Sequence, residues 1–209
     1  MSLDLWLAFI AASTVLLMIP GPTILLVLSY ALTQGRSVAL ATAAGVALGD
    51  FVAMTASLLG LGALVLASAT AFSVLKWAGA VYLVWLGVRM FRSAAQCDTP
   101  DLLEARALPA RGVFGHAAAV TALNPKSIGF FIAFVPQFVD PARAVLPQFA
   151  VMIATFVGLA TLNVLIYALA ADRLRAQISR PAVLRAMTRA GGLTLIGMGV
   201  FTATLRRAT

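Results

Sequence analysis

Between Asp4 and Arg36 the chain has no acidic or basic side chain, an interval longer than the roughly 20 apolar residues needed to cross about 30 Å of hydrocarbon. Five further apolar runs follow. The six are Leu5 to Leu32, Val38 to Leu66, Leu75 to Phe91, Val113 to Phe138, Val145 to Ala171 and Ala190 to Leu205, the third and sixth being the shortest. A soluble domain covers itself with roughly a quarter charged residues, whereas these 209 residues are 62% hydrophobic and 11% charged. The surface must face lipid, and the expected fold class is an all-α integral membrane protein with six transmembrane helices. Met1-Ser2-Leu3-Asp4 lacks the positive region of a signal peptide, so the first run reads as a retained span.

A net charge of +8 in a soluble protein would suggest nucleic acid. Here the basic residues sit between the apolar runs and report orientation, so no nucleic-acid partner is expected. With the N-terminus outside, the inner connections hold Arg36, then Arg89, Arg92, Arg106 and Arg111, then Arg173, Arg175, Arg180, Arg185 and Arg189. The outer side holds Lys76, Arg143, Arg206 and Arg207, and the last two dissent: a five-span chain would place them inside. Trp6 and Trp77 fall at outer span ends, where indoles prefer to sit, although ordinary packing explains them equally. One cysteine, Cys97, and one histidine, His116, exclude a disulfide framework and a four-cysteine metal site, and no metal or other cofactor is expected.

Residues 92–112 collect six charged residues with Pro100 and Pro109 and read as a cytoplasmic loop. It separates a first three-helix unit, 1–91, from a second, 113–209. An odd number of spans per unit makes a duplicated copy insert upside down, the inverted-repeat arrangement of many secondary transporters. The first span is interrupted by Pro20-Gly21-Pro22 and the fourth by Asn124-Pro125. Each proline removes a backbone donor and clashes with the preceding turn, so helices 1 and 4 should be broken there, for transport or merely for packing. The third and sixth runs align as Ala78-Gly79, Leu83 and Gly87-Val88 on Ala190-Gly191, Leu195 and Gly199-Val200.

Two ionisable residues lie well inside spans. Asp50 is about 18 Å and Lys126 about 20 Å from the starts of their runs, near the midplane. Facing lipid, each would cost about 2.5 to 3.5 kcal/mol, so both should face the bundle interior, a watery cavity or each other. A buried Asp50 to Lys126 ion pair that only locks the halves is the bland alternative. Gly45 and Gly49 precede Asp50 and either admit a neighbouring helix or leave room for a substrate. Asn124 and Lys126 flank Pro125, so an amide, an ammonium and freed backbone groups converge at one break. Free N–H groups at a half-helix start suit a carboxylate and free carbonyls at an opposite end suit a cation, the two ends of an amino acid. Asn163 either contacts substrate or bonds across helices. Ser13, Thr14, Thr23, Ser29, Thr121 and Thr161 are expected to bond their own backbone carbonyls, Tyr30, Tyr82 and Tyr167 to pack, and His116 to sit at the inner interface.

These motifs resemble the LysE/RhtB family of bacterial amino-acid exporters over nearly the whole chain. The likeness rests on Pro20-Gly21-Pro22, Gly45-x-x-x-Gly49-Asp50, Gly79-x-x-Tyr82-Leu83-x-x-Leu86-Gly87, Leu123-Asn124-Pro125-Lys126, and Phe130-Phe131 followed by Phe134-Val135-Pro136-Gln137-Phe138. The resemblance implies a multi-pass protein of the bacterial inner membrane that exports amino acids or close derivatives by proton antiport, and it allows a homodimer. It carries Pro20, Gly21, Pro22, Asp50, Asn124, Pro125 and Lys126 over as transport-site positions, with Ser127 where a small apolar residue is expected. A cation exporter of related fold and a non-transporting membrane subunit are the alternatives. Asp50 alone is a poor cation cage, and an intramembrane enzyme would need a nucleophile with a base, or a metal, that these spans lack.

Overall fold

The computed structural model describes residues 1–19, 21–67, 69–94, 108–140, 142–178 and 181–204. Among them every regular element is helical: α1 (Leu3–Met18), α2 (Pro22–Gln34), α3 (Ala39–Ala67), α4 (Ala69–Ser93), α5 (Ala110–Ala122), α6 (Pro125–Ala133), α7 (Val145–Ile178) and α8 (Pro181–Thr204). Single 3-10 turns cover Gly35–Val38 and Val135–Phe138. Pro20, Cys97 and most of the expected 92–112 loop lie outside the described residues.

Both expected breaks are present, and proline sterics explain their form. A residue before proline is pushed out of the helical region. Ile19, before Pro20, has φ −75° and ψ 118°, and Gly21, before Pro22, has φ −133° and ψ −171°. Asn124, before Pro125, has φ −68° and ψ 112°. Pro22 and Pro125 then open α2 and α6 at a position whose N–H has no helical partner anyway. The α1–α2 pair bends by 56° and the α5–α6 pair by 44°. At its free end α1 starts on Ser2, whose hydroxyl accepts from Leu5 N at 3.3 Å, with Asp4 in the first turn.

By length and composition α3 (over Ala39–Gly60) and α7 (over Val145–Ala171) can each cross a membrane, and each bent pair can do so as one broken span. This establishes two to four candidate spans among the described residues. The short third and sixth runs belong to helices longer than expected, 25 residues in α4 and 24 in α8.

Small residues let these helices touch backbone to backbone. The most extensive seam joins α4 and α8. There a Cβ on Gly87 would lie 2.5 Å from the Gly192 carbonyl oxygen, and one on Gly199 would lie 2.7 Å from that of Ala80. The seam between α3 and α5 uses Gly45 and Gly49: a Cβ on Gly49 would be 2.6 Å from Ala118 O and 2.7 Å from the Thr121 Cβ. Neither glycine can take a side chain without a backbone shift.

Among the described residues the two larger of three buried clusters fill most of the bundle, one toward each end, and a small third gathers Tyr30, Val38 and Val113. Toward the N-terminus of α1, Phe9, Phe130, Phe131, Phe134, Phe138 and Phe156 interlock, with Phe131 edge-on to Phe156 at 4.8 Å and Phe130 stacked on Phe134 at 5.4 Å. The other core is aliphatic and smaller-grained: Ile24, Val27, Leu28, Ala31, Ala43, Val46, Ala117, Val164 and Ala168. Along α3 the changeover falls between Val46 and Ala53, along α7 between Ala160 and Val164. Asp50 sits at this boundary.

Candidate functional site

The boundary between the cores holds a cavity of about 20 Å³ lined by Leu16, Leu17, Thr23, Ile24, Val46, Asp50, Asn124, Lys126, Ser127, Ala160, Asn163 and Val164. That is room for about one water molecule, far below the ~300 Å³ or more of a typical ligand pocket. A free amino acid does not fit unless the groups that line the cavity move.

Asn124 organises the second break. Its side-chain oxygen accepts from Lys126 N at 3.0 Å, capping α6, while its amide nitrogen donates to Thr23 Oγ1 on α2 at 3.0 Å. Thr23 Oγ1 lies 3.4 Å from Thr121 Oγ1 of α5. One buried chain of polar groups therefore ties α5 and α6 to the start of α2, immediately beyond the first break. Tyr82 of α4 donates from its hydroxyl to Pro125 O at 3.3 Å.

At the first break the helix end is covered from elsewhere. The last carbonyls of α1 have no helical N–H ahead of them and carry its negative dipole end. Lys126 Nζ donates to Leu16 O at 3.1 Å and to Ile19 O at 2.8 Å. Asn163 Nδ2 donates to Leu17 O at 3.1 Å and Tyr167 Oη to Met18 O at 3.3 Å. The lysine runs beside Gly21, where a Cβ would meet Nζ at 3.4 Å and Cε at 3.5 Å, ordinary van der Waals contact. Gly21, the residue before α2, has no side chain to cap it, and among the described residues the first N–H groups of α2 donate to no side-chain cap.

Asp50 is 3% exposed and Lys126 7% exposed. Both residues line the same cavity without forming the locking ion pair that was the bland alternative: the single ion pair within 4 Å among the described residues is Asp140 with Arg143, at 3.2 Å. The reason is the C-terminal end of α1, which presents two carbonyl oxygens to the ammonium. Among the described residues the Asp50 carboxylate accepts no hydrogen bond, leaving a buried acceptor turned toward the cavity.

Of the residues singled out by sequence, Asp50, Asn124, Lys126 and Asn163 line the cavity, with Gly21, Pro22 and Pro125 forming the breaks beside it. Gly45 and Gly49 do not line it: their faces are filled by α5, which settles the choice offered by the sequence in favour of helix approach. Four participants were assigned no role, Tyr82 among them, which was read as packing and donates to Pro125 O. Thr23 and Thr121 were expected to bond locally, as Thr161 does to Val157 O at 2.7 Å, and Tyr167 was read as packing. The available signal was position: Thr23 directly follows the Pro22 break and Thr121 stands one turn before Asn124. Ser13 is fully buried and finds no hydrogen-bond partner among the described residues, against the local bond expected of it. His116 is exposed, and its Nδ1 lies 2.7 Å from the hydroxyl of buried Tyr30.

The chain matches the family model described as LysE type translocator over residues 14–206. Among curated relatives, the homoserine/homoserine lactone efflux protein of Salmonella typhimurium is 33% identical over 209 residues, covering all of both chains. An uncharacterized membrane protein of Vibrio cholerae is 32% identical over 206 residues, 99% of this chain and all of the relative. The leucine efflux protein of Klebsiella pneumoniae is 30% identical over 135 residues, 65% of this chain and 63% of the relative. No solved structure matches the chain. Apolar helices broken at prolines, a cavity lined by polar side chains and a family model covering nearly the full length agree: this chain belongs to the LysE type translocator family, whose members are transporters rather than enzymes.

Proposed function

We propose that the protein is a secondary exporter of amino acids or close derivatives across the bacterial inner membrane, coupled to inward proton movement. It works as six spans in two inverted three-helix repeats, 1–91 and 113–209, joined by a cytoplasmic loop. The observation that carries the reading is the buried, unbonded Asp50 facing Lys126 across a cavity bounded by both helix breaks. Support for the repeat comes from the α4–α8 seam. One register shift relates Gly87 to Gly199, Ala80 to Gly192 and Leu83 to Leu195, and under it the two close approaches, Gly87 to Gly192 O and Gly199 to Ala80 O, exchange.

The substrate carboxylate meets the uncapped N-terminus of α2 and the Lys126 ammonium, the positive groups of the site. Asp50 carries the coupling proton. An ammonium that moves to Asp50 and a proton compete for one buried negative charge and are reciprocally linked, which is the thermodynamic basis of antiport. The names of the relatives make homoserine, homoserine lactone and leucine the first substrates to try. The test is efflux of labelled amino acids from preloaded cells, native protein against Asp50→Asn at matched membrane abundance. Native efflux should be selective and should collapse with the proton gradient, and Asp50→Asn should abolish it. Gradient-driven efflux of normal rate from Asp50→Asn contradicts the proton assignment. Native efflux no faster than from control cells contradicts amino-acid export.

A further inference from the structure

The Lys126 ammonium sits in a seat with no acidic group. Two of its three N–H donors reach Leu16 O and Ile19 O, and its stem lies along the side of Gly21 that a methyl group would touch. The side chain comes from α6 but caps α1, an element about 110 residues away in sequence. Two carbonyl oxygens at a helix C-terminus select for a cation that donates hydrogen bonds, and a primary ammonium on a saturated carbon is that group. The free amino end of an amino acid is chemically the same.

We infer that the carbonyl seat formed by Leu16 and Ile19 is the binding place of the substrate's ammonium, and that Lys126 is a tethered cation which holds the seat until substrate displaces it. This rests on the exporter reading and adds the partner of one subsite to it. Lys126 lines the cavity, so withdrawing its side chain enlarges a space that otherwise holds about one water. The displaced ammonium has two destinations beside it, the substrate carboxylate at the start of α2 and the unbonded Asp50 carboxylate. Each α1 carbonyl keeps a donor in both states, and the buried α1 terminus is never left without a positive charge.

The experiment measures thermal unfolding of the full-length protein in lipid nanodiscs, with methylammonium chloride or tetramethylammonium chloride as probe. Lys126→Met vacates the seat. Methylammonium should raise its midpoint by about 5–10 °C at about 100 times its Kd, tetramethylammonium should not, and the native protein should respond to neither. Lys126→Gln, whose amide still donates to one carbonyl and so supports folding, should show the same selectivity with a smaller shift. No selective shift in either variant, or equal shifts with both salts, overturns the inference. So does failure of both variants to fold with methylammonium present throughout, because no free ammonium then takes the seat. Amino-acid efflux by the native protein in proteoliposomes separates the two readings. A selective shift without efflux leaves the seat and removes the exporter, whereas efflux without a selective shift does the reverse.

Discussion

At the second break the chain closes most of its own helix ends: Leu123 N and Asn124 N bond back to Ala119 O and Thr121 O, and the Asn124 side chain caps α6. At the first break Ile19 N is the one amide among the described residues that bonds back locally, to Leu16 O at 3.3 Å, and the carbonyls of 16–19 take donors from Lys126, Asn163 and Tyr167 of α6 and α7. The prolines make both breaks, but different side chains finish them. A break closed by its own residues keeps its shape when neighbours move. One closed across the bundle changes shape whenever those neighbours shift, so the first break is where ligand and helix movement can be coupled, with the second as its platform.

The largest effect should come from Lys126→Met, which removes two charge-assisted bonds and leaves buried carbonyls unpaired. The loss should be about 3 kcal/mol or more, read as a lowered unfolding midpoint without added ammonium, together with loss of efflux. If stability is unchanged, the first break does not depend on that brace. Next comes Gly49→Val, which drives α5 off α3 and disturbs the platform. Overpacking of this kind costs about 1–3 kcal/mol, measurable as reduced folded protein in the membrane. Asn124→Ala should cost about 0.5–2 kcal/mol as a lost helix cap and should also release Thr23. Wild-type efflux in that variant would mean the link between the breaks has no role in transport. The smallest effects distinguish the breaks best. Tyr167→Phe and Tyr82→Phe each delete a hydroxyl that donates to a break carbonyl at 3.3 Å, worth about 0.5–1.5 kcal/mol at most. Amide exchange should rise at 16–19 in the first variant and stay unchanged at 123–126 in the second.

Both breaks were legible in the sequence because proline constrains its own neighbourhood, and Asp50 and Lys126 were legible because charge at membrane depth is costly wherever it occurs. The partners of those groups were not. For Lys126 the bundle interior, a watery cavity and Asp50 were all open from charge alone, yet the acceptor it finds is a backbone carbonyl end that no residue letter marks. Thr23 shows the same limit: a threonine in a membrane helix bonds its own carbonyl by default, as Thr161 does, and only the fold brings Asn124 to it. Gly45 and Gly49 were ambiguous because a missing side chain serves a helix and a substrate equally well. The answer depended on where α5 runs.

The central claim is that the first break moves while the second holds, and amide hydrogen–deuterium exchange in lipid nanodiscs tests it most directly. Peptides covering 14–25 and 117–128 are compared with and without a transported amino acid. Substrate should produce a clear change in the first peptide and none beyond error in the second. Equal changes in both, or a change confined to the second, would contradict it.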